Sequence, residues 1–297
     1  MAIASPASAQ RADVDQLRAA MKAARWTGPM LASTAETLPK GHFYTEPYFF
    51  DVIVRGEHHP GSSGFYQYGL LNNLTVGLQP SFATATNRID RGVAIGDFKL
   101  LSQVRLTHFT PDHRVPTIAL VLNEVIPTGK FDRLGRRQEG HGSGAFATEV
   151  GINVQHWFLL GNKRLLRARI NVLQRFYNNT SVDGRSTYGT GPGFRGHARL
   201  GARTTLIGAV EYSLTNEWVL AMDVEADFAG RTKLVGSDNG GPPVTTRSAA
   251  SRDVGFSPAV EYNWSPSAGA LFGVWIIPKG HNTPASVTPA IAISKFW

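Results

Sequence analysis

The stretch Val219-Leu-Ala-Met-Asp-Val-Glu-Ala-Asp-Phe228 decides the fold. In an extended chain Leu220, Met222, Val224 and Phe228 fall on one side, and Asp223, Glu225 and Asp227 on the other. Successive side chains of a strand point to opposite faces, so the segment reads as a strand with one apolar face and one charged face. Val150, Ile152 and Val154 alternate in the same way with Glu149, Gly151 and Asn153. Ile170, Val172 and Phe176 lie opposite Arg167, Arg169, Asn171 and Arg175.

Working outward, the pattern predicts twelve strands, near 43–55, 64–70, 74–86, 93–107, 115–127, 144–159, 163–178, 197–213, 217–230, 252–264, 268–278 and 286–297. Connections after even-numbered strands are short: 71–73, 108–114, 160–162, 214–216 and 265–267. Those after odd-numbered strands are mostly long, the clearest being 128–143, 179–196 and 231–251. An even strand number with short turns at one end and long loops at the other marks an antiparallel up-and-down transmembrane barrel. A soluble sandwich gives no reason for that asymmetry. In lipid every backbone group must be paired internally, and closure removes the free edges. The fold class is therefore all-β, a single barrel of about twelve strands with a short N-terminal helix. Phe158, Tyr212, Trp218, Tyr262, Trp264 and Trp297 fall at strand ends beside the short turns, where aromatic residues collect at a membrane interface.

Composition agrees. Of 297 residues 42% are hydrophobic and 18% charged, below the roughly 25% of an average soluble domain. No run approaches the roughly 20 apolar residues of a transmembrane helix. The absence of cysteine excludes disulfide scaffolds, thiolate zinc sites and cysteine nucleophiles. The net charge of +8 arises from 30 basic residues scattered among 22 acidic ones, without the basic run that nucleic acid requires.

Residues 1–9 read as the end of an export signal, with Ala7-Ser8-Ala9 as a small-x-small cleavage site. Val14, Leu17, Met21 and Ala24 sit at helical spacing within 13–25. Segment 26–42, with Gly28, Pro29 and Pro39, reads as an extended arm. Residues 10–42 form a periplasmic or lumenal unit, and 43–297 the barrel. If the arm enters the lumen, Trp26, Pro29, Met30 and Leu31 supply a plug. Ile291, Ile293 and Trp297 share a face of the last strand, and Phe296 and Trp297 resemble the C-terminal signal that outer-membrane assembly machinery reads.

Four segments together resemble the phenol-degradation meta-pathway family of bacterial outer-membrane proteins. They are Trp26-Thr-Gly-Pro-Met30 with Leu38-Pro-Lys-Gly41 and Thr45-Glu-Pro-Tyr48; Tyr68-Gly-Leu-Leu-Asn-Asn73; Ile95-Gly-Asp-Phe98 with Val125-Ile-Pro-Thr-Gly129; and Glu211-Tyr-Ser-Leu-Thr-Asn-Glu-Trp218 with Lys295-Phe-Trp297. The resemblance implies an outer-membrane barrel found near catabolic pathways for aromatic or other hydrophobic compounds, and no catalytic residues.

The polar face places Arg167, Arg169, Arg175, Arg199, Arg203, Glu149, Glu211, Asp223, Glu225, Asp97, Lys99 and Arg105 in the lumen. They form either a charged constriction that selects solutes or a salt-bridged filling that holds the lumen in shape. Gly140-His-Gly-Ser-Gly144 superficially resembles the His-x-Ser element of outer-membrane phospholipases, but the remainder of that signature is absent. His58-His59 reads as a solvated loop. No metal or cofactor is expected. The expectation is a non-enzymatic outer-membrane channel, exported through the periplasm. Its partners are membrane lipid, the assembly machinery and a small, hydrophobic or aromatic solute. An adhesive or structural barrel acting through its long loops is the alternative, and a lipid hydrolase the third.

Overall fold

The computed structural model describes residues 6–86, 91–136 and 139–297. Among the described residues one helix, α1 (Pro6–Ala23), precedes eighteen strands: β1 (Phe43–Val54), β2 (Glu57–Leu71), β3 (Leu74–Gln79), β4 (Ser81–Thr86), β5 (Arg91–Ile95), β6 (Phe98–Thr107), β7 (Thr117–Ile126), β8 (Ala147–Leu159), β9 (Leu165–Tyr177), β10 (Asn179–Asp183), β11 (Phe194–Arg199), β12 (Arg203–Ser213), β13 (Trp218–Ala229), β14 (Lys233–Asp238), β15 (Val244–Arg247), β16 (Ser251–Ser265), β17 (Ala268–Ile277) and β18 (Ser286–Phe296). Twelve of them, β1, β2, β3, β6, β7, β8, β9, β12, β13, β16, β17 and β18, form a closed antiparallel barrel, because β1 pairs with both β2 and β18.

The alternation is realised around the wall. Outward side chains such as Val150, Ile152, Ile170, Val172, Leu220, Met222 and Val224 are exposed, and their inward neighbours Glu149, Asn153, Arg169, Asn171 and Asp223 are buried. A surface of this kind is inside out for water and right for hydrocarbon. Phe158, Trp218, Tyr262, Trp264 and Trp297 are exposed near the short-turn end.

Three predicted strands are broken. Pro80 divides 74–86 into β3 and β4, and Gly96-Asp97 divides 93–107 into β5 and β6; the outer halves form a hairpin that pairs with β2 at Gly61–Ser63. Proline cannot donate to a ladder, so the strand bends there. Predicted strand 197–213 splits at 200–202, where a Cβ on Gly201 would lie 2.2 Å from the Gly230 carbonyl carbon. β10, β11, β14 and β15 then form a separate four-stranded sheet above the barrel, drawn from the predicted loops 179–196 and 231–251 and from the first residues of predicted strand 197–213. The second strand begins at Glu57, not 64. Arg55 and Gly56, with φ of 53° and 80°, make the two-residue turn that matches strand twist. His58 and His59 therefore lie on β2, and His58 pairs with Asp51 at 2.5 Å.

α1 starts earlier than predicted. Pro6 sits at its first position, where a missing amide hydrogen costs nothing, and Ala7-Ser8-Ala9 continue the helix. Leu17 is buried against Phe109 and Leu165. Arg18 pairs with Asp112 at 3.0 Å and Arg114 with Asp13 at 2.5 Å, binding the helix to the 108–116 turn. Residues 1–5 of the expected signal remnant lie outside the described residues.

Candidate functional site

The candidate site is the lumen, and the arm runs through it. Its backbone has no ladder of its own, so its amides bond to inward side chains. Asp223 on β13 accepts from Met30 N at 3.0 Å, Leu31 N at 3.3 Å and Ala32 N at 3.0 Å. Glu261 on β16 accepts from both Thr27 N (2.8 Å) and its hydroxyl (2.9 Å). Asn171 on β9 accepts from Ser33 N and donates to Ser33 O, at 2.8 and 3.0 Å. Thr34 donates to Gln155 on β8 at 3.0 Å, Gln103 on β6 donates to Glu36 O at 2.8 Å, and Thr75 on β3 accepts from Leu38 N at 2.8 Å. The arm is thus held from β3, β6, β8, β9, β13 and β16.

The wall leaves room for it. A Cβ on Gly273 would lie 2.7 Å from Met30 Sδ, one on Gly269 2.6 Å from Thr27 Cγ2, and one on Gly69 2.0 Å from Pro39 O. Of the residues expected to supply a plug, Trp26 stands edge-on to Trp157 at 5.1 Å, with the Arg167 guanidinium 4.7 and 4.9 Å from the two rings. Pro29 is buried. Met30 packs on the Tyr48–Leu271 cluster, and Leu31 on Ile207 and Ala209.

The inward charges bond to one another. Glu211, fully buried, takes a two-pronged bond from Arg167, with Nε at 2.7 Å, and an ion pair from Arg169 at 2.9 Å. Arg169 also donates to Ala32 O at 2.8 Å. Glu149 receives Arg175 at 2.5 Å, Lys99 at 3.3 Å and the Asn123 amide at 2.9 Å. Arg203 bonds Asp227 at 2.7 Å, and Arg105 bonds Glu36 at 2.8 Å. Glu225 is buried beside them.

Two of the predicted lumen residues stand elsewhere. Arg199 is exposed on β11, in the separate sheet, because the break at 200–202 takes it off the barrel strand. Asp97 lies in the break between β5 and β6 and ties down loop 128–143, accepting from Gly129 N at 3.0 Å and from Ser143 N and Oγ at 2.7 Å. The Ser143 hydroxyl is thereby engaged with Asp97 and the Ala145 carbonyl, not with His141. At the seam, Phe296 pairs with Tyr44 and stacks on His42 at 5.0 Å, and Trp297 N donates to Phe43 O at 2.9 Å.

Residues not singled out include Glu36, Thr75, Gln155, Glu261 and Glu46. All but Glu36 obey the inward parity of their strands, so the alternation that located Asp223 could have found them. Glu36 carried no such signal, because the arm has no period.

No family model and no curated protein matches the sequence, so the family resemblance rests on the motifs alone. Solved structures do match in shape. The barrel is similar to the COG4313 outer membrane channel from Pseudomonas putida F1, with TM-score 0.60 and 11% identity, over 92% of this chain and 100% of that one. It is also similar to the NanC porin, with TM-score 0.50 and 10% identity, over 84% and 98%. At such identities the likeness is one of fold: this chain shares the closed-barrel architecture of these outer-membrane proteins.

Proposed function

We propose that the protein is an outer-membrane channel for small, hydrophobic or aromatic compounds, in which the N-terminal arm is a plug. The short-turn end then faces the periplasm and the long loops face outside. The observation that carries the reading is the arm itself, hydrogen-bonded through the lumen from six strands. A barrel that served only as a scaffold has no need of a polypeptide in its lumen. The charged residues act mainly as paired filling, since Glu211, Glu149 and Asp227 each already hold a guanidinium. The hydrophobic cargo is supported by the four-segment family resemblance. The signal remnant and the terminal Phe296-Trp297 assembly signal belong to the same reading.

A lateral exit fits the same wall. The β1–β18 ladder skips from Thr45↔Lys295 to Tyr48↔Ala292 and from Phe50↔Ala290 to Ile53↔Val287, beside Pro47 and Pro289. Proline cannot donate to a ladder, which makes this seam one place where the wall can part.

The test is single-channel conductance of the folded chain in a planar bilayer, with and without residues 10–42. Silence that becomes steady conductance on removing the arm supports the plug. Equal conductance in both would remove the plug from the reading. Silence in both, from chain shown to be folded, would exclude an aqueous pore and leave the lateral route or an adhesive barrel; the sheet of β10, β11, β14 and β15 outside the barrel favours the latter.

A further inference from the structure

The separate sheet carries an arrangement that folding alone does not explain. Arg199 on β11 stands directly opposite Lys233 on β14, and Lys233 directly opposite Arg247 on β15. Directly opposed residues share a face of the sheet, so three cations form one row across three adjacent strands. At a strand spacing of about 4.8 Å the row spans about 10 Å. Like charges placed directly opposite repel one another. Among the described residues none of the three has a side-chain hydrogen bond or ion pair.

The row also lies on the uncovered face. Phe194, Ala198 and Val182 point the other way, buried with Phe131, Tyr188 and Leu234. Arg199 and Arg247 are exposed and Lys233 half-buried. Its height is set by the chain. Arg199, Lys233 and Arg247 each fall four residues from the nearest barrel-strand end, at Arg203, Ala229 and Ser251. The topmost outward apolar side chains of those strands, Leu206, Phe228 and Val254, are just below. The row therefore stands where the apolar belt gives way to the headgroup layer.

We propose that Arg199, Lys233 and Arg247 bind the phosphate groups of an outer-leaflet lipid, a phosphorylated glycolipid docked against the sheet. Phosphate supplies the charge that offsets the repulsion, and guanidinium groups bind it in two-pronged fashion. The inference rests on the outer-membrane reading but not on conductance, so a plugged or closed barrel leaves it intact.

The test uses the full chain, folded in neutral detergent, with binding followed by native mass spectrometry. The probes are lipid A, lipid A stripped of both phosphates, and inorganic pyrophosphate. The expected result is saturable binding of lipid A, at least tenfold weaker for the dephosphorylated lipid and for the triple variant Arg199→Gln, Lys233→Gln, Arg247→Gln. The single variant Arg247→Gln, on the outermost strand, should weaken binding severalfold with the barrel's heat-modifiable gel migration unchanged, which guards against misfolding of the triple variant. Pyrophosphate binding as tightly as lipid A would overturn the lipid and make the row a free-anion site. Equal binding of both lipids, or no loss in the variants, would overturn the site.

Discussion

Glu211 shows how much one inward carboxylate can do. It is fully buried and serves both Arg167 and Arg169. Removing one partner of a buried ion pair costs about 3–5 kcal/mol, because the other charge is left without compensation. Glu211→Gln should therefore lower the stability of the folded barrel by about that amount, measured by denaturant unfolding from lipid vesicles. Arg18→Gln is the contrast. Arg18 and its partner Asp112 are 53% and 55% exposed, so screening by water limits the loss to about 1 kcal/mol or less. Equal losses in the two variants would contradict the division between buried and wetted pairs. In the outer loops, Tyr188 lies against Ser143, and its hydroxyl donates to the Ser143 carbonyl. Burial, and then the charge of Asp97, push its pKa up. A raised acid pKa in the folded state gives stability that is present below the ordinary tyrosine value, near 10, and fades as pH climbs beyond it. Tyr188→Phe should flatten this loss at alkaline pH, and an unaltered pH profile would remove Tyr188 as its source.

At the scale of elements, the arm and the wall are complementary. Asp223 satisfies three consecutive arm amides. Asp223→Ala strips all three of their acceptor, and should expose 26–36 to added protease while the barrel remains intact on a gel. Gly273→Leu should act from the other side, driving a side chain into the place of Met30 Sδ. Both variants should raise conductance toward that of chain lacking the arm; if the arm stayed protected in both, the side chains named would not be what retains it. Reading the strands needed only period two, which is why β8, β9, β12 and β13 were recognisable from Glu149, Arg167, Glu211 and Asp223. Their breaks were less so. Pro80 and Gly201 are visible in the sequence, but whether such a residue bends a strand or ends it depends on what lies across the sheet.

For the whole molecule, closure and filling are separate achievements. The ladder closes between β1 and β18, beginning at Tyr44↔Phe296, and does not use the arm. Residues 43–297 should therefore still fold into a heat-modifiable barrel, less stable than the full chain, because Asn171, Asp223 and Glu261 exchange arm partners for water. Failure of that chain to fold would make the arm part of the folding core.

The sequence by itself determined the barrel: twelve wall strands, their inward and outward faces, and the end at which the turns are short. That information is local, since alternation follows from the geometry of a single strand and lipid permits few ways to satisfy its backbone. Only the tertiary structure decided that the arm lies inside, that Glu36 and Arg105 meet there, and that Arg199 left the lumen for a separate sheet beside Lys233 and Arg247. Those outcomes depend on pairing between segments distant along the chain. No residue's own periodicity specifies which partner it will face.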